Sequence, residues 1–163
     1  LGHTSQILTR AGTYLGNHGL LSSGGCSSGT HFDTELERIA HLVAPLIQKA
    51  GFEGVCGFDA FSFTCPESGS TKLRAPLEVN ARFTSATVGL SCMNKLATEE
   101  SLETGSWLFI LDAEESWCTA ASENAKWKSL VFQTPTTGKK ALIAVSEEPN
   151  AFQDWLSENN MRP

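Results

Sequence analysis

Several things are scarce in this sequence, and each scarcity excludes something. No stretch approaches the ~18 to 20 consecutive apolar residues of a membrane span. The longest apolar clusters, around Trp107–Leu111 and Ala141–Val145, are strand-sized. No basic segment followed by an apolar core opens the chain, so a signal peptide is not visible in it. Positive charge is also short: 12 Lys and Arg against 18 Asp and Glu leave a formal net charge of −6. That balance argues against a general nucleic-acid or anionic-membrane surface, which needs a basic patch. Cysteine occurs five times, at 26, 56, 65, 92 and 118, with no C-x-x-C pair. A zinc site or disulfide framework is therefore not expected, and free thiols in a reducing, cytoplasmic setting are. Internal repeats are missing, as are G-x-S-x-G, H-E-x-x-H, the dinucleotide glycine fingerprint and the P-loop pattern.

What is present fits a folded protein of ordinary composition. The 163 residues, 40% hydrophobic and 18% charged, give about one domain and enough chain to bury a core without staples. Two short apolar runs within Ser5–Leu15 flank Arg10-Ala11-Gly12, a hairpin signal. The run Ser22–Gly29 is Ser/Gly-rich, which suits a surface connection or a backbone nest for an anion. Phe32, Leu36, Ile39, Ala40, Val43, Leu46, Ile47 and Ala50 recur at three and four residues and predict an amphipathic helix. Thr34 and Glu37 stand in capping-box spacing, Gly51 supplies a stop, and Pro45 should kink the helix or begin a new turn.

After Gly51 the period changes. Val55–Phe63 and Leu73–Arg82 read as strands joined by the polar loop Cys65–Thr71, an antiparallel hairpin. Thr84–Ala97 reads as a weakly patterned helix. Near Thr98 the composition shifts, and Glu99–Glu103 reads as an acidic connection. Beyond it a strand (Trp107–Leu111), a helix (Ala113–Trp127), two strands (Ser129–Thr134 and Lys140–Ser146) and a terminal helix (Pro149–Glu158) are expected. The later tryptophans, Trp117, Trp127 and Trp155, read as core anchors. His3, His18, His31 and His41 are isolated and read as structural.

The stretch Leu77-Glu78-Val79-Asn80-Ala81-Arg82 carries the chemistry. Alternation along a strand puts Leu77, Val79 and Ala81 toward a core and Glu78, Asn80 and Arg82 together on the other face. An acid and an amide oxygen suit Mg²⁺, and a guanidinium suits bidentate contact with phosphate. Asp59, on the facing strand, adds a second carboxylate if the hairpin pairs normally. The same alternation also describes a half-buried strand with an outward Glu–Arg pair. Thr84, Ser85 and Thr87 follow directly, as helix caps or as a substrate-side lining.

The segments Gly57-Phe58-Asp59-Ala60-Phe61 and Leu77–Arg82 resemble the metal- and phosphate-binding end of the ATP-grasp family, in its carbamoyl-phosphate-synthase-like and amino-acid-ligase-like branches. The resemblance covers about residues 1 to 95. It implies an α+β fold: an antiparallel sheet with packed helices, forming the second ATP-grasp subdomain over residues 1–98. Residues 99–163 would be a small C-terminal α/β extension packed on it. It further implies an ATP-dependent carboxylate–amine ligase with ATP and Mg²⁺ (or Mn²⁺) as cofactors. Asp59, Glu78 and Asn80 would hold the metal, Asn80 and Arg82 would bind the nucleotide, and Arg82 would act in catalysis. The partners implied are a small-molecule carboxylate, an amine, and an N-terminal nucleotide-clamping subdomain of the same protein. Nucleic acid and membrane are not among them, and a homo-oligomer is allowed. The first residue is Leu1 and not Met, so the chain is expected to be processed or to be one part of a longer protein. The other class of function is a non-catalytic interaction or regulatory module that keeps the fold.

Overall fold

The computed structural model describes residues 2–22, 25–133 and 135–162. Along the chain come β1 (Ser5–Thr9), β2 (Tyr14–Ser22), β3 (Gly25–Ser27), α1 (Asp33–Lys49), β4 (Gly57–Phe58), β5 (Phe61–Thr64), β6 (Thr71–Arg74) and β7 (Val79–Asn80). Then follow α2 (Ser85–Glu99), β8 (Gly105–Ile110), α3 (Glu115–Glu123), β9 (Lys128–Gln133), β10 (Lys140–Ser146), α4 (Gln153–Glu158) and β11 (Met161–Arg162). The fold class is α+β, with an antiparallel sheet and packed helices. Among the described residues no helix is long and apolar enough to cross a membrane. Two compact units divide the chain: residues up to Gly29 together with Val88 onward, and Thr30–Thr87.

The first unit is built on one sheet in the order β11-β1-β2-β8-β10-β9, with β3 also pairing with β2. Its centre is β8, every residue of which is buried. Trp107 and Phe109 face Met93, Leu96 and Ala97 of α2, with Ile143 and Val145 of β10. Leu108 and Ile110 face the other way, toward Ile7, Cys118, Ala121, Leu142 and Leu156. Alternation along β8 and β10 thus feeds two cores, one on each face. Trp127 packs on Phe152 at 4.7 Å and edge-on to Trp155 at 5.7 Å, and Trp117 meets Trp155 edge-on at 6.2 Å. The tryptophans are core anchors, as expected.

A sheet buried on both faces needs its backbones close. Gly16 of β2 lies so near β8 that a Cβ there would meet the Phe109 carbonyl oxygen at 1.9 Å, and one at Gly19 would meet the Ser27 carbonyl oxygen at 2.5 Å. Several buried polar groups are partnered within the same layer. Trp107 Nε1 donates to Cys26 Sγ at 2.9 Å, Asn17 Nδ2 to Thr4 Oγ1 at 2.9 Å, and the Tyr14 hydroxyl to Asn17 Oδ1.

The expected boundary at Thr98 does not hold in this sheet. Strand β2 pairs with β8 from Gly16↔Ile110 to Leu21↔Gly105, so residues before and after 98 share one sheet and both cores. Residues 99–163 are not an appendix. The shift to acidic composition at Glu99–Glu103 marks the surface turn after α2, and charge at a turn reflects solvent exposure, not a domain limit. Within the Ser/Gly run, Gly25–Ser27 form a strand against Leu20–Ser22. Ser23 and Gly24 lie outside the described residues, as does Thr134 at the end of one expected strand.

The second unit holds α1 and a hairpin. Helix α1 runs through Pro45 and ends where Gly51 (φ +88°) reverses the chain. The Gly51 N–H donates to the Gln48 carbonyl and the Phe52 N–H to the Ile47 carbonyl, the paired bonds of a glycine C-cap. The expected Thr34–Glu37 capping box is not formed. The helix begins two residues earlier at Phe32, without a side-chain cap, and Thr30 Oγ1 accepts the Phe32 N–H at 3.4 Å. The apolar stripe is at best half-buried, and Leu46 is 67% exposed.

Two predictions follow from the first unit. His18 on β2 keeps its Nε2 buried without a hydrogen-bond partner, between Ser5 of β1 and Leu108 of β8, and burial pushes the imidazole down from 6.5 to about 4. Below pH 6.5 the unfolded chain takes up a proton that the folded chain refuses. The stabilisation is complete above about pH 6.5 and is lost as pH falls toward 4, reaching about 2 kcal/mol at pH 5. The difference in urea stability between the protein and His18→Gln should change by that amount between pH 7.5 and 5. Gly16→Ala should destabilise by about 1–3 kcal/mol in the same measurement at pH 7.5, because the Phe109 carbonyl leaves no room for a methyl group.

Candidate functional site

The hairpin of the second unit is antiparallel but not continuous. Strands β4 and β7 pair as Gly57↔Asn80 and Phe58↔Val79, while β5 and β6 pair as Phe61↔Arg74 to Thr64↔Thr71. The sum of paired numbers falls from 137 to 135, so two extra residues sit on the second strand between Ala75 and Glu78. The expected strands Val55–Phe63 and Leu73–Arg82 are each split there. Pro76 has no N–H to give to a ladder, which explains why regular pairing stops on either side of it. The interruption is a bulge: the Asp59 N–H donates to the Glu78 carbonyl at 2.9 Å, and the Leu77 N–H to the Asp59 carbonyl at 2.8 Å.

Asp59 lies across from Glu78, two residues along from the Gly57↔Asn80 pair and in the same register. Opposed residues of antiparallel strands share a face. Asn80 Nδ2 donates to Asp59 Oδ2 at 3.2 Å, so two of the expected residues touch. Both are half-buried, while Glu78 and Arg82 are exposed. The Arg82 guanidinium turns to the Phe83 carbonyl, with Nη1 donating at 3.4 Å. Among the described residues, no ion pair joins Arg82 to Glu78, nor either Asp59 or Glu78 to a base. An outward Glu–Arg pair therefore does not account for the motif.

The opposite face departs from expectation. Leu77, Val79 and Ala81 were expected in a core, but all three are exposed, Leu77 by 48% and Val79 by 41%. Cys65 is the sole buried residue among 30–87. Helix α2 starts directly behind the motif. Thr84 Oγ1 accepts the Thr87 N–H at 3.2 Å and Thr87 Oγ1 accepts the Thr84 N–H at 3.4 Å, a reciprocal cap. The capping expected of Thr84 or Ser85 is formed by Thr84.

The donor set here is two carboxylates and one amide oxygen within a few residues. Hard oxygen donors in this number suit Mg²⁺, which takes one or two carboxylates and fills the rest of its shell from water and phosphate. Among the described residues no group of three or more His, Cys, Asp or Glu side chains is arranged to hold a metal ion. A small oxygen set that leaves most of the shell to others fits Mg²⁺ or Mn²⁺ and does not fit zinc.

A thiol with a lowered pKa that residue patterns did not single out lies at the hairpin tip. The Ser68 side-chain hydrogen bond draws the Cys65 thiol down from 9.0 to about 7, with help from the backbone N–H groups of Ser68 and Glu67. The signal in the sequence was the tight polar turn Cys65–Ser70, closed by Gly69 N–H to the Cys65 carbonyl at 2.8 Å. No family model matches the chain, and no curated protein or solved structure matches it either.

Alkylation of Cys65 followed by peptide mass spectrometry should show a midpoint near pH 7, since the thiolate is the nucleophile. Ser68→Ala should move that midpoint upward, toward the ordinary thiol range.

Proposed function

We propose that this chain forms the metal- and phosphate-holding part of an ATP-grasp ligase. The enzyme would use Mg·ATP to convert a carboxylate to an acylphosphate, which an amine then attacks to release phosphate. The observation that carries the reading is the Asp59–Asn80 contact at 3.2 Å with Glu78 across the strand from Asp59. Asp59 and Asn80 touch, Glu78 lies opposite Asp59 on the facing strand, and among the described residues no base is ion-paired to either acid, which supports a cation-binding set.

The roles follow from the chemistry of each side chain. Asp59, Glu78 and Asn80 would hold Mg²⁺ or Mn²⁺, which when bound neutralises charge on the transferring phosphoryl group. Arg82 is exposed and tethered only to a backbone carbonyl, so its guanidinium can exchange that single bond for a bidentate grip on phosphate. Positioning and charge stabilisation carry most of the acceleration in such a transfer, and no nucleophile from the chain is required. The adenine-binding subdomain is part of the proposal as a further segment of the same protein, so residues 1–163 alone should bind Mg·ATP weakly. The setting is cytoplasmic, in keeping with five free thiols.

The test uses the protein that carries this chain. Arg82→Ala should lower ATP turnover by about 10²–10³-fold, the usual cost of losing one charge-stabilising donor. Glu78→Ala combined with Asn80→Ala should abolish turnover and Mn²⁺ binding followed by electron paramagnetic resonance. Both proteins should keep the parent's thermal transition. Unchanged turnover in the folded double variant would overturn the ligase reading and favour the non-catalytic module.

A further inference from the structure

Strand β9 ends the main sheet. Among the described residues β10 is the only strand it pairs with, so its other edge is free of strand hydrogen bonding. Edge strands are ordinarily blunted by a bulge, a proline, a mid-strand charge or a short length. β9 has none of these. Its six residues, Lys-Ser-Leu-Val-Phe-Gln, pair with β10 in unbroken register from Lys128↔Val145 to Gln133↔Lys140. Leu130, Val131 and Phe132 are consecutive and are 40%, 43% and 43% exposed. Alternation sends Leu130 and Phe132 to one face and Val131 to the other, so both faces of the edge are apolar.

We propose that β9 docks on β9 of a second copy of this chain, antiparallel, about a two-fold axis through Val131. The sequence of the edge favours a copy of itself as the occupant. A two-fold axis perpendicular to a sheet keeps each side chain on its own face, so only registers that oppose residues of like parity are allowed. Centred on Val131, the register sets Val131 opposite Val131, Leu130 opposite Phe132, and Ser129 opposite Gln133. Apolar meets apolar on both faces, and polar meets polar at both ends. Centred instead on Leu130, it would set Val131 against Ser129 and Phe132 against Lys128, which wastes both apolar contacts. Charge agrees with this choice. Lys128 is the only charged residue of the strand, lies at its end, and is already paired with Glu100 at 3.4 Å. No like charges face each other across the axis. Aliphatic–aromatic pairs such as Leu130–Phe132 are among the better cross-strand contacts. One strand pair buries less than the ~1,000 Å² of a lasting interface, so the dimer dissociates on dilution.

Sedimentation equilibrium across about 5 to 500 µM should show a monomer passing to a dimer. Val131→Lys and Val131→Glu change an exposed side chain, and each should remain monomeric because like charges then face one another on the axis. Mixed in equal amounts, the two variants should restore a dimer, which a merely structural defect would not do. Circular dichroism checks that each variant is folded. A parent that stays monomeric at every concentration overturns the proposal and leaves the edge to a strand from a different chain. Dimers of either variant alone, or folded variants that fail to associate when mixed, also overturn it.

Discussion

Burying β8 on both faces is the constraint from which the rest of the first unit follows. Six consecutive residues without solvent contact cannot follow the half-polar alternation of an ordinary antiparallel strand, and Gly-Ser-Trp-Leu-Phe-Ile does not. Such a strand must be paired on both edges and covered above and below. β2 and β10 supply the edges, α2 covers one face, and α3 with α4 covers the other. Close pairing with β2 requires glycine at 16 and 19, because backbone and indole atoms stand where a side chain would begin. The single buried Ser106 hydroxyl is satisfied by the Glu148 carbonyl at 2.6 Å, so the strand leaves no polar debt in the layer.

Local pattern was readable where local physics decides the outcome. The 3.6-residue repeat and Gly51 located α1 to within a residue or two, and β10 falls where Lys140–Ser146 was expected. Local pattern could not show that Leu20 pairs with Ser106, because that contact depends on which apolar strands complement one another across the fold. The domain boundary at Thr98 failed for this reason: composition reports exposure along the chain, while sheet pairing ignores distance along it. The short strand β11 was missed because two residues, Met161 and Arg162, carry too little pattern to see. At the site, alternation put Glu78 and Asn80 on one face, and of the expected residues Asp59 and Asn80 are the two that touch. Alternation misjudged Leu77 and Val79, since period two tells which residues share a face and not whether that face is covered.

The site and the sheet differ in how they meet water. The sheet buries its polar groups with partners, His18 Nε2 excepted. The hairpin keeps Glu78 and Arg82 in solvent, where an unneutralised charge costs little. Where the ladder stops next to Pro76, the Asp59 backbone bonds to Leu77 and Glu78 while its carboxylate accepts from Asn80.

The three indoles of Trp117, Trp127 and Trp155 have a consequence for optical measurements. Edge-on rings 5.7 and 6.2 Å apart interact electronically, and these belong to one buried cluster near the two C-terminal helices. Their coupled transitions add an aromatic band to the far-ultraviolet circular dichroism, superimposed on the signal of four helices and a large sheet. That band disappears when the cluster loosens, even if every backbone hydrogen bond survives. It separates loss of side-chain packing from loss of secondary structure within a single spectrum.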